Sequence, residues 1–342
     1  QLYYFYIKDK LLVKIFISIA SYQDPLLKAT INSAFKMSDK PENLTFGVCD
    51  QSSVSIDMNS FEFKNQIFYE HIDPHVSQGP CWARARIQER FSDEDYYLQI
   101  DSHTQFLKGW DSYLIKYMKK IQEIDSEHHK KPIITCYPRA FEVVDYAKNE
   151  FVLNDEDKNT HVITYREDSM FTKGNFCRQI GATTDIEITH GYLLAAGFLF
   201  STSEFVDEIP YDPKLYFYGE EISLVLRAIT RGFGVFHIPN VPLFHLYNDV
   251  SDIKRKLHWD LEEDQDREIK WYEREEKSIE RLNKIINNEI TGAFGLGNIK
   301  SLQDYQRLSG VDLINMQVLD KQKAHTSKFL SELSWQDSPF LI

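Results

Sequence analysis

Tyr96-Tyr97-Leu98-Gln99-Ile100-Asp101-Ser102-His103 reads as an apolar strand that delivers a carboxylate and an imidazole at its C-terminal end. In extended chain, residues two apart point the same way, so Asp101 and His103 face one target. In open α/β sheets, ligands bind outside the carboxyl ends of the strands. An oxygen and an imidazole nitrogen together suit a divalent ion of the manganese class, with diphosphate oxygens filling other positions. On its own, a D-x-H of this kind is more often a strand-end aspartate beside a solvated histidine. What surrounds it carries the decision.

Strand-like and helix-like segments alternate on both sides of it. Leu11–Ala20, Leu44–Cys49, Gln66–Ile72 and Pro132–Tyr137 read as strands. Asp24-Pro25 opens a helix, with Asp24 as its N-cap and Leu27, Ile31, Ala34 and Phe35 as its apolar stripe. Gly79-Pro80 starts a second helix through Phe91, and Gly109 to Ile124 is a third. This alternation predicts an α/β fold built on a mostly parallel sheet with both faces covered. The stretch 149–189 is polar and less regular. A strand over Tyr192–Phe200, a helix over Glu220–Arg231 and a strand over Gly234–Ile238 follow. Beyond about residue 250 the chain is charge-dense and helical. We therefore place a catalytic-type domain at 1–250 and a helical C-terminal extension at 251–342. The Trp-bearing stretch around Trp259 and Trp271 reads as an amphipathic helix folded back on the first domain, with a partner helix as the alternative.

The 342 residues are 42% hydrophobic with only 4 Cys, which excludes a disordered chain and a disulfide scaffold. A net charge of −13 disfavours nucleic acid and anionic lipid as partners, so a phosphate-bearing ligand needs a metal ion or a few placed cations. No apolar run reaches the roughly 18–20 residues of a membrane span. The first twenty residues are interrupted by Lys8, Asp9, Lys10 and Lys14 and lack a small-residue cleavage site, so they do not read as a signal peptide. Cys49, Cys81, Cys136 and Cys177 show no C-x-x-C, which suggests reduced thiols and a cytoplasmic protein.

Four further motifs carry chemistry. Gly79-Pro80-Cys81-Trp82-Ala83-Arg84-Ala85-Arg86 places two arginines at a helix start, where anions are favoured, although ordinary surface arginines explain at least one of them. In Leu194-Ala195-Ala196-Gly197-Phe198-Leu199-Phe200, the glycine allows close approach by a ligand or tight packing against a neighbour. Tyr216-Phe217-Tyr218-Gly219-Glu220-Glu221 puts two carboxylates behind aromatics, as a sugar site wants, while the helix macrodipole alone also favours acids there. His245 is the candidate third metal ligand, whereas His237 reads as a core histidine. Lys254, Arg255 and Lys256 form a lid over a diphosphate or a solvated helix start.

The D-x-H at Asp101–His103, Ala196-Gly197, Tyr218-Gly219-Glu220-Glu221 and the late His245, in this order, resemble retaining GT-A glycosyltransferases. They look like the polypeptide GalNAc-transferases and, more closely, glycosyltransferase family 60, cytoplasmic enzymes that attach α-GlcNAc to hydroxyproline or threonine of proteins. Ile17–Pro25, Phe46–Gln51 and Gly79-Pro80 with Ala83-Arg84 extend the resemblance over residues 13–250. It implies a GT-A fold, with Asp101, His103 and His245 on Mn2+ or another divalent metal. It implies that Ala20, Ser21, Tyr22, Asp50, Arg84 and Ser102 border the nucleotide of a UDP-sugar donor. Ala196, Gly197, Phe198 and Tyr218 would then line the transferred sugar, with Glu220 and Glu221 as the catalytic acids. Where the GalNAc-transferases have Ala-Gly-Gly and Trp-Gly-Gly-Glu, this chain has Ala196-Gly197-Phe198 and Tyr218-Gly219-Glu220-Glu221. The bulkier, more acidic pocket favours a UDP-hexose other than UDP-GalNAc.

The expected activity is metal-dependent, retaining transfer of GlcNAc from UDP-GlcNAc to a protein hydroxyl. The alternatives are a glycan or small acceptor, UDP-glucose or UDP-galactose as donor, a nucleotide- or carbohydrate-binding module without turnover, and a metal hydrolase or nucleotidyltransferase. The last usually needs more clustered carboxylates.

Overall fold

In the computed structural model, residues 12–124, 130–171, 177–247 and 255–332 are described. Lys254 and most of the greasy N-terminal stretch lie outside them. In chain order the strands are β1 Ile15–Tyr22, β2 Leu44–Gln51, β3 Ile67–Ile72, β4 Tyr96–Asp101, β5 Thr104–Phe106, β6 Pro132–Thr135, β7 Arg139–Asp145, β8 Glu150–Leu153, β9 Thr160–Tyr165, β10 Gln179–Thr184, β11 Thr189–Gly191, β12 Phe198–Thr202, β13 Gly234–His237 and β14 Leu243–His245. The principal helices are α1 Leu27–Met37, α2 Pro80–Gln88, α3 Trp110–Gln122, α4 Glu220–Thr230, α5 Trp271–Ile286 and α6 Leu302–Ser309.

A nine-stranded sheet runs Ser331–Glu332, β11, β13, β6, β12, β4, β1, β2, β3. The β4–β1–β2–β3 half is parallel, and β12 enters antiparallel between β4 and β6. The α/β fold is as predicted, but the sheet is mixed and not mostly parallel: beyond β4 only β13 and β6 run parallel, while β12, β11 and Ser331–Glu332 pair antiparallel with their neighbours. Parallel strands buried on both faces need apolar side chains in both directions, and β1 supplies them. Phe16 joins one core with Tyr97, Ile87 and the apolar face of α4, while Ile15, Ile17 and Ile19 join the other with α1 and α3. The register aligns Ala20 with Asp101 and Ser21 with Asp50, so the C-terminal ends of β1, β2 and β4 form one edge.

Three local expectations change. Helix α1 begins at Leu27, because Asp24 bonds the Leu26 amide through Oδ1 (2.8 Å) and uses its other oxygen elsewhere. The strand expected from Tyr192 begins only at Phe198, since Ala195, Ala196 and Gly197 form a tight turn before it. The polar stretch 149–189 is structured: β8 pairs with β7, and β9 with β10. There, short alternating strands are masked in the sequence by their polar outward residues.

Residues past 255 fold onto the same core. Leu282, Ile286, Tyr305, Val311 and Ala324 share it with α2 and α4, and Ser331–Glu332 adds a strand beside β11. No helix of the described residues is long and apolar enough to cross a membrane.

Candidate active site

Strand β4 ends at Asp101, and the tight turn into β5 presents His103 beside it. Strand β14 pairs antiparallel with β5, His245 opposite Thr104, and this sets the second imidazole next to the first. Both Nε2 atoms turn toward one carboxylate oxygen. His245 Nε2 lies 3.1 Å, and His103 Nε2 4.0 Å, from Asp101 Oδ2. Their candidate donor atoms all fall within 4.8 Å of one another.

The neighbours of these groups aim them. Arg84, on the first turns of α2, donates from Nη2 to Asp101 Oδ1 (2.8 Å), leaving Oδ2 to face the imidazoles. Asp24 Oδ2 accepts from His103 Nδ1 (2.6 Å) and from Ser102 Oγ (2.7 Å). A carboxylate on Nδ1 holds the proton there and leaves Nε2 with a free lone pair, the usual support of a metal-binding histidine. Burial pushes the Asp101 carboxyl up. The His245 hydrogen bond and the Arg84 charge more than reverse this, holding it well below the usual carboxylate range. Burial also keeps His245 on the neutral side. Two imidazoles and an ionised carboxylate converging on one point fit a divalent ion of the manganese or zinc type.

Gly197 explains itself here. A Cβ at this position would lie 2.7 Å from Asp101 Oδ2, so the glycine makes room for the carboxylate. Gly79 has a φ of +98°, and a side chain on it would strike the Tyr216 ring.

Beside the acid–imidazole group opens a cavity of 570 Å³. Arg84, Asp101 and His245 line it, together with Ala196, Gly197, Tyr218, Glu220 and Glu221. Glu220 pairs with Arg84 Nη1, so one guanidinium links the two carboxylate centres. Glu221 accepts from the Ala196 amide (2.8 Å) and from Gln179 Nε2. Burial, with the Glu220 charge adding, pushes the Glu221 carboxyl up to about 7 against the Ala196 hydrogen bond. Tyr137, Tyr247, Trp259 and Trp271 complete the walls. Apolar walls around a few convergent polar groups are the general form of a small-ligand site.

The glycosyltransferase (GlcNAc) family model matches residues 14–63 and 54–315. The chain belongs to that family. A comparison with curated protein sequences finds no match. Among solved structures it is similar to GalNAc-T7, crystallised with UDP, GalNAc and Mn2+, at 15% identity, over 70% of this chain and 45% of that one, with a TM-score of 0.49. It is also similar to S. aureus TarS 1–349 in complex with UDP, at 13% identity, over 80% of this chain and 72% of that one, with a TM-score of 0.41. The chain thus spans less than half the length of the GalNAc-T7 chain.

In this glycosyltransferase (GlcNAc) family member, the other sequence candidates are divided among the strand edge, the turn after β4 and the core. Ala20, Ser21 and Asp50 lie at the shared strand edge, Asp50 buried and accepting from Tyr69 (2.6 Å). Tyr22 donates its hydroxyl to Glu263 (2.6 Å), which ties β1 to the chain beyond 255. Lys256 of the basic triplet pairs with the same Glu263 (2.7 Å). Ser102 is buried against Asp24 and Thr30. Phe198 is a correction: it is fully buried in the core with Leu98, Ile100 and Phe200, and does not line the cavity. Strand alternation from Phe198 onward turns it inward with Phe200. His237 is the core histidine expected, its Nδ1 on the Thr135 carbonyl (2.7 Å).

Sequence reading missed the second role of Asp24, because a D-P dipeptide reads as a cap. It missed Gln179, hidden in the stretch taken as irregular, and the wall tyrosines Tyr137 and Tyr247. No local pattern marks those three; only the folding of distant strands brings them to the cavity.

Proposed function

We propose that this protein transfers GlcNAc from UDP-GlcNAc to a hydroxyl of a protein acceptor, on threonine, serine or hydroxyproline, with metal dependence and retained anomeric configuration. The observation that carries this reading is that the Asp101, His103 and His245 cluster meets, through Arg84, the cavity that Asp101, His245, Glu220 and Glu221 line. The family description names GlcNAc, which supports that donor sugar.

Asp101, His103 and His245 would hold Mn2+ or another divalent ion. When bound, it supplies Lewis-acid neutralisation of the charge developing on the departing diphosphate. Ala20, Ser21, Tyr22 and Asp50 border the nucleotide at the strand edge. Arg84 fixes Asp101 and, through Glu220, the wall that meets the sugar. Glu221, half-protonated near neutral pH, exchanges a hydrogen bond with a sugar hydroxyl. Both pocket glutamates are already held by protein partners, Glu220 by Arg84 and Glu221 by Gln179 and Ala196. Neither is poised as a covalent nucleophile, which supports attack from the face that the diphosphate leaves. The four cysteines are buried and unpaired, which supports a reducing, cytoplasmic location.

A donor screen tests this. With manganese, UDP-GlcNAc should be hydrolysed and transferred faster than UDP-GalNAc, UDP-glucose or UDP-galactose. Preference for UDP-glucose or UDP-galactose would overturn the donor, and no turnover with any donor would leave a binding module.

A further inference from the structure

Helix α5 carries Arg274, Lys277, Arg281 and Lys284 at spacings that place all four on one face. With Lys214 across from them, they line a groove of 400 Å³, in which Glu280 is the single acid. In a chain of net charge −13, such a row is a local reversal of sign.

The cations are not consumed by the fold. Among the described residues, Lys214, Arg274, Lys277 and Lys284 form no ion pair, although Glu273, Glu276 and Glu280 lie on the same helix. Arg281 alone is paired, with the buried Asp212 (2.6 Å). Arg274 Nε is buried with no hydrogen-bond partner.

The groove adjoins the cavity described above. Tyr216 lines both, and α5 contributes Trp271 and Glu275 to the cavity and the basic row to the groove. Glu275 accepts from the Tyr218 amide (3.0 Å), and Ser278 Oγ accepts from the Tyr216 amide (3.0 Å) and donates to the Tyr218 carbonyl (2.8 Å), so α5 is fixed against the cavity wall. From Arg274 to Lys284 the row is about 15 Å long, at the rise of an α-helix. Extended chain covers that length in about five residues. A single phosphate covers only a fraction of it.

Resting on the protein-acceptor reading above, we propose that this groove seats an acidic segment of the acceptor polypeptide. The hydroxyl-bearing residue enters the cavity past Trp259 and Trp271. Aspartates or glutamates within about six positions on one side of it lie along Lys214, Arg274, Lys277 and Lys284. The charge row therefore selects the acceptor and sets the direction in which it threads.

The test uses the full chain, a labelled peptide with one threonine flanked on one side by glutamates, and the same peptide with glutamines. Binding is followed by fluorescence anisotropy, and manganese-dependent UDP-GlcNAc hydrolysis is measured in parallel. The acidic peptide should bind at least about tenfold tighter than the neutral one, and added salt should erase the difference. The surface variant K214E/K277E/K284E should lose the preference and keep its hydrolysis rate; K277Q/K284Q is the milder companion if the first melts early. Equal binding of both peptides, or a preference undiminished in both variants, would overturn the proposal. So would binding of tripolyphosphate at the groove with no acidic-peptide binding, which marks a small-anion site. Normal hydrolysis without peptide preference sinks the groove alone, whereas peptide preference without any hydrolysis sinks the transferase reading alone.

Discussion

Asp24 Oδ2 lies 2.6 Å from His103 Nδ1, and this contact joins the turn after β1 to the turn after β4. It decides which imidazole nitrogen is available. With the carboxylate on Nδ1, the proton stays there and Nε2 faces Asp101. An asparagine amide at 24 can instead donate to Nδ1, which moves the proton to Nε2 and removes the lone pair. Asp24→Asn should therefore weaken manganese binding by roughly 10–100-fold. Titration calorimetry of manganese into the two proteins checks this, and equal affinities would refute it.

Removing the carboxylate itself goes further. Asp101→Ala should abolish manganese-dependent hydrolysis of the UDP-sugar and detectable manganese binding. Arg84 then keeps only Glu220 as its ion-pair partner, so the fold should persist, with a near-native circular dichroism spectrum. Undiminished hydrolysis in this variant would sink the metal assignment.

Gly197 stands against the same carboxylate. In Gly197→Ala the new methyl meets Asp101 Oδ2 at 2.7 Å, and Arg84 prevents an easy retreat. We expect a destabilisation of about 1–3 kcal/mol, as for other overpacked sites. Manganese affinity should fall along with it. Denaturant melts and calorimetry measure the two effects, and an unchanged affinity would show that the carboxylate can move freely.

Glu221 sets a pH dependence. Its carboxyl is pushed up to about 7 by burial, from an ordinary value of 4.5. Between those values the folded protein holds a proton that the unfolded chain has released. Stability therefore falls as pH rises from 4.5 through 7 and levels off above, by an amount on the order of 3 kcal/mol from this group. Glu221→Gln should remove that slope. Urea midpoints at pH 5 and pH 8, near the lower end of that window and just above its upper end, give the comparison, and a variant with the wild-type slope would contradict it.

How much of this could be read from one dimension follows from the range of each interaction. The strand Tyr96–Asp101 with His103 two residues on, the apolar run of β1, and the glutamates opening α4 are local patterns, so their elements and their chemistry were legible. Period-two and period-3.6 spacing report directly on which face a side chain takes. Phe198 shows the limit even there. Its segment was rightly read as apolar strand, but where the strand begins depends on the turn at Ala195–Gly197, and that determines which way the side chain faces.

The residues Asp101, His103, His245, Glu220 and Arg84 were each marked by the sequence as candidates. Their meeting was not. His245 reaches Asp101 across 144 positions because β14 pairs with β5, and Arg84 reaches Glu220 across 136 because α2 and α4 share a core. Asp24 and Gln179 acquire their roles the same way. The sequence by itself determined the alternating elements and the chemical inventory, since both depend on neighbours along the chain. Only the tertiary structure decided which of those groups share a carboxylate, a guanidinium or a wall, because hydrogen bonds and ion pairs act over a few ångströms and are formed by residues that packing, not sequence, makes adjacent.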